Sequence, residues 1–162
     1  MIEIEAKVKV SHEKFLEIYK KFGSPKFLFQ KNWGYSYSGN IIRVREEGDK
    51  IYVTLKKVNN GKKYSSREEI EFNINDINSF RQFLDSIGIK SDNYYEKQRA
   101  TIIFMNSTIC FDRISSNMEF IEVEGDEKSI EIILNDLGIS EYPIEKRNYF
   151  EIIAEDFLKK WG

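Results

Sequence analysis

Four short stretches of the chain alternate charged and apolar residues so strictly that each is expected to fold as a strand with one ionic and one apolar face. Glu3, Glu5, Lys7 and Lys9 alternate with Ile2, Ile4, Ala6, Val8 and Val10, while Arg43, Arg45 and Glu47 stand beside Ile42 and Val44. Arg67, Glu69 and Glu71 flank Ile70, and Glu122 with Glu124 flank Ile121 and Val123. A sheet built from these strands has one apolar face for a core and one densely ionic face. The ordinary fate of such a face is to be wetted. Wetted faces usually mix Thr, Ser, Gln and Lys, whereas Arg and Glu dominate here. If the sheet closes with the ionic face inward, cations and anions converge on one lumen, and the like charges need a ligand to neutralise them. Arg-rich and Glu-rich groups together read as anion clamps beside metal ligands, and a polyphosphate with a divalent cation satisfies both.

The rest of the chain permits this. Its 162 residues are expected to form one domain over 1–162, and 41% apolar with 14% aromatic content excludes disorder. A formal charge of −2 offers no global attraction to nucleic acid or membrane, so an anion site has to be local. The single Cys110 excludes an internal disulfide and a cysteine-rich zinc site, and its place between Ile109 and Phe111 reads as a buried strand thiol. No apolar run approaches the roughly 18 residues of a membrane span, and the cytoplasm is the expected compartment. Strand signals cover 2–10, 26–37, 41–47, 50–58, 64–73, 94–105, 108–114 and 118–125, enough to close a barrel. Helical periodicity follows Ser11 (Phe15, Ile18, Tyr19, Phe22), Asn75 or Asp76 (Ile77, Phe80, Phe83, Leu84, Ile87) and Asp126 (Ile130, Ile133, Leu134, Leu137). A fourth helix carries Phe150, Ile153, Phe157, Leu158 and Trp161 toward the C-terminus. The run from Arg67 to Ile89 resembles that from Phe120 to Ile139, a rough internal duplication. The expected class is α+β: an eight-stranded antiparallel closed barrel with a charged lumen, flanked by about four helices.

Glu3-Ile4-Glu5-Ala6-Lys7 resembles the ExExK signature of the CYTH superfamily, the triphosphate tunnel metalloenzymes that include class IV adenylyl cyclases, thiamine triphosphatases and inorganic triphosphatases. That signature is short, but the order of the later motifs along the chain is specific. Arg43-Val44-Arg45 resembles the family's RxR strand, Thr54-Leu55-Lys56 its TxK strand and Arg67-Glu68-Glu69-Ile70-Glu71 its RxExE strand. Lys97-Gln98-Arg99 resembles its KxR strand, Phe111-Asp112 its single acidic position, Phe120 to Glu124 its FxExE strand, and Arg147-Asn148-Tyr149 the element that opens its last helix.

The resemblance implies an antiparallel tunnel holding a triphosphate and a divalent metal. Glu3, Glu5, Glu122 and Glu124, assisted by Asp112, would be the metal carboxylates, whose hard oxygens suit Mg²⁺ or Mn²⁺. Lys7, Arg43, Arg45, Lys56, Lys97, Arg99 and Lys146 or Arg147 would clamp phosphates. Arg67, Glu69 and Glu71 would either touch substrate or pin those cations. Glu3 and Glu5 would orient the attacking water, with Lys7 the other candidate base. The implied partner is a small triphosphate, with a homodimer left open.

Two features depart from the family pattern. Gly34 stands where the family often carries Tyr, with Tyr35 one place on, which puts a Lys–Tyr catalytic pairing in doubt. The Gly usual before the FxExE strand is replaced by Met118-Glu119, read as a different turn. Trp33, Tyr35 and Tyr37 are read either as core or as a base-stacking platform at the tunnel mouth, and His12, the one histidine, as facing solvent. Three functions are carried forward: a metal-dependent triphosphatase, an adenylyl cyclase making cyclic AMP and pyrophosphate, and a non-catalytic polyphosphate or nucleotide binder. Hydrolysis asks least of the site, because it needs only water and a bound triphosphate.

Overall fold

Alternation along the strands decides the architecture, because each strand must send its charges one way and its apolar groups the other. The computed structural model describes residues 1–115 and 117–161. Its elements are β1 (Ile2–Val10), α1 (His12–Lys21), β2 (Leu28–Tyr37), β3 (Asn40–Glu47), β4 (Lys50–Lys56), β5 (Ser65–Ile74), α2 (Ile77–Ser86), β6 (Ser91–Phe104), β7 (Ser107–Ser115), β8 (Met118–Glu124), α3 (Glu127–Asp136) and α4 (Tyr149–Trp161). Every neighbouring pair is antiparallel, and the order β1-β5-β4-β3-β2-β6-β7-β8 returns to β1 as a closed barrel. β1 makes the closure. Its first half, Ile2 to Glu5, pairs with β5, and Glu5 to Val10 pairs with β8, so Glu5 stands opposite both Ser65 and Glu124.

Helices cover the apolar outer face. Ala6, Val8, Ile109, Phe111, Ile121 and Val123 pack under Phe15 and Ile18 of α1 and Ile130, Ile133 and Leu134 of α3. On the opposite side Tyr35, Val44 and Val53 pack under Leu84 of α2. Trp33 lies at the edge of this cluster, and Tyr37 is exposed. The base-stacking reading of these aromatics is therefore corrected: alternation turns them outward and sends Gln30, Asn32 and Gly34 to the lumen side. Within the expected helical faces, Phe83 of α2, Ile87 just past its end, and Phe157 and Leu158 of α4 remain exposed, and the side chain of Trp161 lies outside the described residues. The outer face of β5 is only half covered, leaving Ile70 and Phe72 in contact with solvent.

The duplication is visible in the caps. Asp76 accepts from Ser79 N and Oγ at 3.0 and 2.7 Å, and Asp126 repeats this with Ser129 at 2.9 and 2.7 Å. Each helix then ends on a glycine with positive φ, 86° at Gly88 and 72° at Gly138, a conformation other residues resist. The two units leave β5 and β8, the two neighbours of β1.

The third apolar cluster lies at one end of the barrel. There Tyr149, Phe150 and Ile152 of α4 meet Tyr95, Met118 and Phe120, which share the inward register of the charged residues. Gly34 makes this approach feasible: a Cβ there would lie 2.8 Å from the Phe150 ring. Ile133→Ala, emptying a wholly buried site between α3 and the barrel, is expected to cost about 2–5 kcal/mol in urea denaturation, whereas Phe83→Ala on the exposed side of α2 should cost under about 1 kcal/mol.

Candidate active site

The inward positions converge on one cavity. Glu3, Glu5 and Lys7 of β1, Arg43 and Arg45 of β3, Lys56 of β4, and Arg67, Glu69 and Glu71 of β5 line it from one side. Lys97 and Arg99 of β6, Glu122 and Glu124 of β8, and Lys146 and Tyr149 complete the wall. Lys9, the last charge of the β1 alternation, is exposed outside it. Arg147 does not join either. Its guanidinium is taken by Glu145 at 2.7 and 2.8 Å and by Glu155, and only its backbone carbonyl reaches inward, accepting from Lys7 Nζ at 2.9 Å.

The cations are held apart by carboxylates. Lys56 lies 3.1 Å from Glu69, and Arg43 Nη2 sits 3.3 Å from Thr54 Oγ1 and 3.7 Å from Glu71. Arg67 donates to the carbonyl of Lys57 at 3.1 Å. Arg45 is bound through Nε to Asn32 Oδ1 at 2.7 Å, with Nη2 buried and unpartnered. Burial and the neighbouring Arg43 pull Arg45 down to about 10. Such an unsatisfied buried donor is costly unless something accepts from it.

Asp112 is wholly buried and already bonded on both oxygens. Arg99 grips it with Nε at 2.6 Å and Nη2 at 2.5 Å, Lys97 lies at 3.3 Å, and the Tyr149 hydroxyl donates at 2.6 Å. Arg99 also reaches Glu122 at 2.7 Å, and Tyr149 lies 3.1 Å from the same oxygen. An ion at Asp112 would have to displace these partners. Despite burial, Asp112 holds the Arg99 guanidinium well above its usual range. Lys97 is pushed well below the ordinary lysine range by burial and then by Arg99, with Asp112 opposing.

Three other carboxylates are differently placed. Glu3, Glu5 and Glu124 each offer an oxygen, all within 4.8 Å of one another. Burial, then Glu124 and a hydrogen bond with Glu69, push the Glu3 carboxyl up to about 9. Burial, opposed by Arg99 and reinforced by Glu122 and Glu5, raises Glu124 to about 7. For Glu5, burial is outweighed by Lys7, Glu122, Lys56 and Arg99, which hold it at about 2. Crowded oxygens of this kind fit a hard divalent cation, which relieves the repulsion that raises Glu3 and Glu124.

Two groups were missed in the sequence. Tyr149 enters the cavity from α4, its ring 4.5 Å from both the Lys7 and Lys97 ammonium groups, so a lysine–tyrosine contact exists although Gly34 removes the expected one. Asn32 was legible only through strand parity, which pairs it with Arg45. Cys110 is buried as expected, yet on the lumen side, 3.9 Å from Thr101 Oγ1, and burial pushes its thiol up to about 12. His12 is exposed and contacts Glu119 at 2.6 Å, outside the barrel.

Because Glu3 keeps its proton to about pH 9 when folded but loses it near 4.5 when unfolded, the folded state binds the extra proton between those values, and this group's contribution falls as pH rises. Glu5, held at about 2, acts oppositely: its contribution is present above 4.5 and lost as pH falls toward 2. Without divalent metal, Glu3→Gln should therefore gain stability relative to the parent chain as pH rises from about 5 to 9, by about 1–3 kcal/mol at pH 8. Paired urea titrations across that range check the slope.

Known proteins share this fold. A Methanocaldococcus jannaschii protein named "putative adenylate cyclase" is 29% identical over 94% of this chain and 98% of its own. A solved Pyrococcus horikoshii structure superposes with a TM-score of 0.82 at 24% identity, over 92% of this chain and 98% of that one. A Hippeastrum protein, described as a putative adenylyl cyclase with a dominant triphosphatase activity, superposes with a TM-score of 0.71 at 18% identity, over 95% and 96% of the two chains. Residues 1–143 match the CYTH domain, and the chain belongs to the CYTH family.

Proposed function

We propose that this chain is a metal-dependent triphosphatase acting on inorganic or small organic triphosphates. The observation that carries the reading is the gathering of Glu3, Glu5 and Glu124 within 4.8 Å at a cavity otherwise walled by Lys and Arg. A pure phosphate binder gains nothing from three crowded carboxylates. Mg²⁺ or Mn²⁺ held by these three would supply Lewis acidity and charge neutralisation at the phosphoryl oxygens.

The chain's own groups do the positioning. Arg43, Arg45, Lys56 and Arg99 neutralise phosphate oxygens, and the unpartnered Nη2 of Arg45 is a donor awaiting one. Water attacks the terminal phosphorus as the bridging P–O bond breaks, and the electron pair leaves on the diphosphate oxygen beside these cations. The water gives up one proton to the departing diphosphate while the other stays on the orthophosphate. Glu5, ionised at neutral pH, orients the water. Lys7 serves as a clamp, since its Nζ already donates to the Arg147 carbonyl. Asp112 and Glu122 set the direction of Arg99 and Tyr149.

Adenylyl cyclase is the second reading, favoured by the name of the Methanocaldococcus jannaschii relative. It would need the α-phosphorus at the reactive position and the ribose 3′-hydroxyl in place of water. The Hippeastrum protein shows that the same fold can accompany a dominant triphosphatase activity. Products distinguish the two. With Mg²⁺ or Mn²⁺, orthophosphate should be released from inorganic triphosphate at least as efficiently as from ATP, with little cyclic AMP. Cyclic AMP and pyrophosphate formed in equal amounts, faster than that orthophosphate, would reverse the assignment. Glu3→Gln or Glu5→Gln should lower turnover at least ~10²-fold at saturating metal while circular dichroism stays unchanged. Turnover within threefold of the parent would remove them from the mechanism.

A further inference from the structure

The stagger of the barrel leaves part of β5 with a neighbour on one side alone. β1 pairs with this strand only between Glu5 opposite Ser65 and Ile2 opposite Glu68, and the last bonds on that side join Glu69 to Met1 at 2.8 and 3.2 Å. On its other edge β5 stays paired with β4 as far as Ile74 opposite Ile51. The Lys57 N–H donates to the Glu68 carbonyl at 3.0 Å, so alternation turns the peptide groups of Ile70, Phe72 and Ile74 toward β4 and those of Glu71 and Asn73 away from it. Among the described residues, no backbone group meets Glu71 or Asn73 on that open edge. An unpaired strand edge is a template for another strand.

The side chains around this edge are apolar. Ile70 and Phe72 are half-exposed on the outer face, and Phe72 stands opposite Val53, which is buried under Leu84 of α2. On one flank of α2, Arg81 reaches β2, donating to the Tyr35 hydroxyl at 3.0 Å and lying 5.0 Å from the Trp33 ring centre. At about 3.6 residues per turn, Phe83 and Ile87 fall on the opposite flank, toward β5, and both are exposed. Lys, Pro or a bulge ordinarily blunts such an edge, and the run Ile70-Glu71-Phe72-Asn73-Ile74 has none of them. Its one charge, Glu71, is turned inward, where it accepts from Thr54 Oγ1 at 2.7 Å and lies 3.7 Å from Arg43.

We infer that this edge joins a second copy of the chain, β5 to β5 and antiparallel, about a two-fold axis at Phe72. That register sets Phe72 opposite its own copy, Ile70 opposite Ile74 of the other copy, and Glu71 opposite Asn73 of the other copy. Glu71 and Asn73 then exchange both backbone bonds, and the two-fold repeats the exchange, so every open peptide group of the edge is satisfied. A register centred on Glu71 would instead set two carboxylates against each other. The exposed parts of Ile70, Phe72, Phe83 and Ile87 offer roughly 400 Å² of apolar side chain per copy, half the roughly 800 Å² of a standard interface. The association is therefore reversible, with a dissociation constant of about 1–100 µM.

Sedimentation velocity of the whole chain, from roughly 1 to 300 µM, should show a monomer passing to a dimer and no larger species. Phe72→Lys should weaken that association at least tenfold while circular dichroism stays unchanged. A cysteine scan reads the register and reports even if the lysine variant misfolds, because the native Cys110 is buried. Facing residues of a non-hydrogen-bonded pair lie about 4.5 Å apart, within disulfide reach, so Phe72→Cys should give a covalent dimer under mild oxidation. Ile70→Cys places its two thiols four strand steps apart, roughly 13 Å, and should not. A chain that stays monomeric across the range, or a dimer that Phe72→Lys leaves intact, overturns the proposal. So does Ile70→Cys cross-linking as fast as Phe72→Cys, and assembly beyond the dimer overturns the closed two-fold.

Discussion

The fully buried carboxylate of Asp112, met at once by Arg99, Lys97 and Tyr149, is the interaction on which the interior depends. Closing a barrel around a charged face removes ions from water, and that is tolerable only when each charge finds partners of good geometry. Asp112 satisfies β6 and β7 internally and, through Tyr149, ties α4 to the end of the barrel. Arg99 extends the network to Glu122 and so to β8. The inward ionic face is thereby a source of order as well as of binding.

Compensation is unequal along the tunnel. Around Asp112 every charge has a partner, and the pairs fix side-chain directions. Around Glu3, Glu5 and Glu124 the carboxylates face one another, and two of them hold protons well above the usual carboxylate range. The same is true in mirror image of Arg45, whose Nη2 is buried without an acceptor. A polyanion and a divalent cation together supply both missing partners, and neither alone does. That complementarity is why the triphosphate reading and the metal reading support each other.

Much of the barrel was legible in the sequence, since period-two alternation is a local property and burial on one face amplifies it. β1 was expected over 2–10 and is found at Ile2–Val10, and the caps at Ser11 and Asp126 stand where the side-chain chemistry placed them. The inward charges, Glu3 through Glu124, follow from the same parity. Arg147 illustrates the limit. Its place beside a family-like element says nothing of its direction, and two nearby carboxylates, Glu145 and Glu155, capture it outside the cavity.

By itself the sequence determined which residues share a face, because the pleat of a strand leaves no alternative. Only the tertiary structure decided which of those residues meet, because closure brings strands far apart in the chain into register. Glu3 and Glu124 lie at opposite ends of the chain's barrel-forming stretch and become neighbours through β1 and β8. Tyr149 reads in sequence only as part of the Arg147-Asn148-Tyr149 element that opens a last helix, and it reaches the Lys7 and Lys97 ammonium groups only because Gly34 lets α4 seat its Phe150 against the barrel end. Alternation is set by bonded geometry within a strand, whereas the pairing of charges across a lumen is set by packing, which no local pattern encodes.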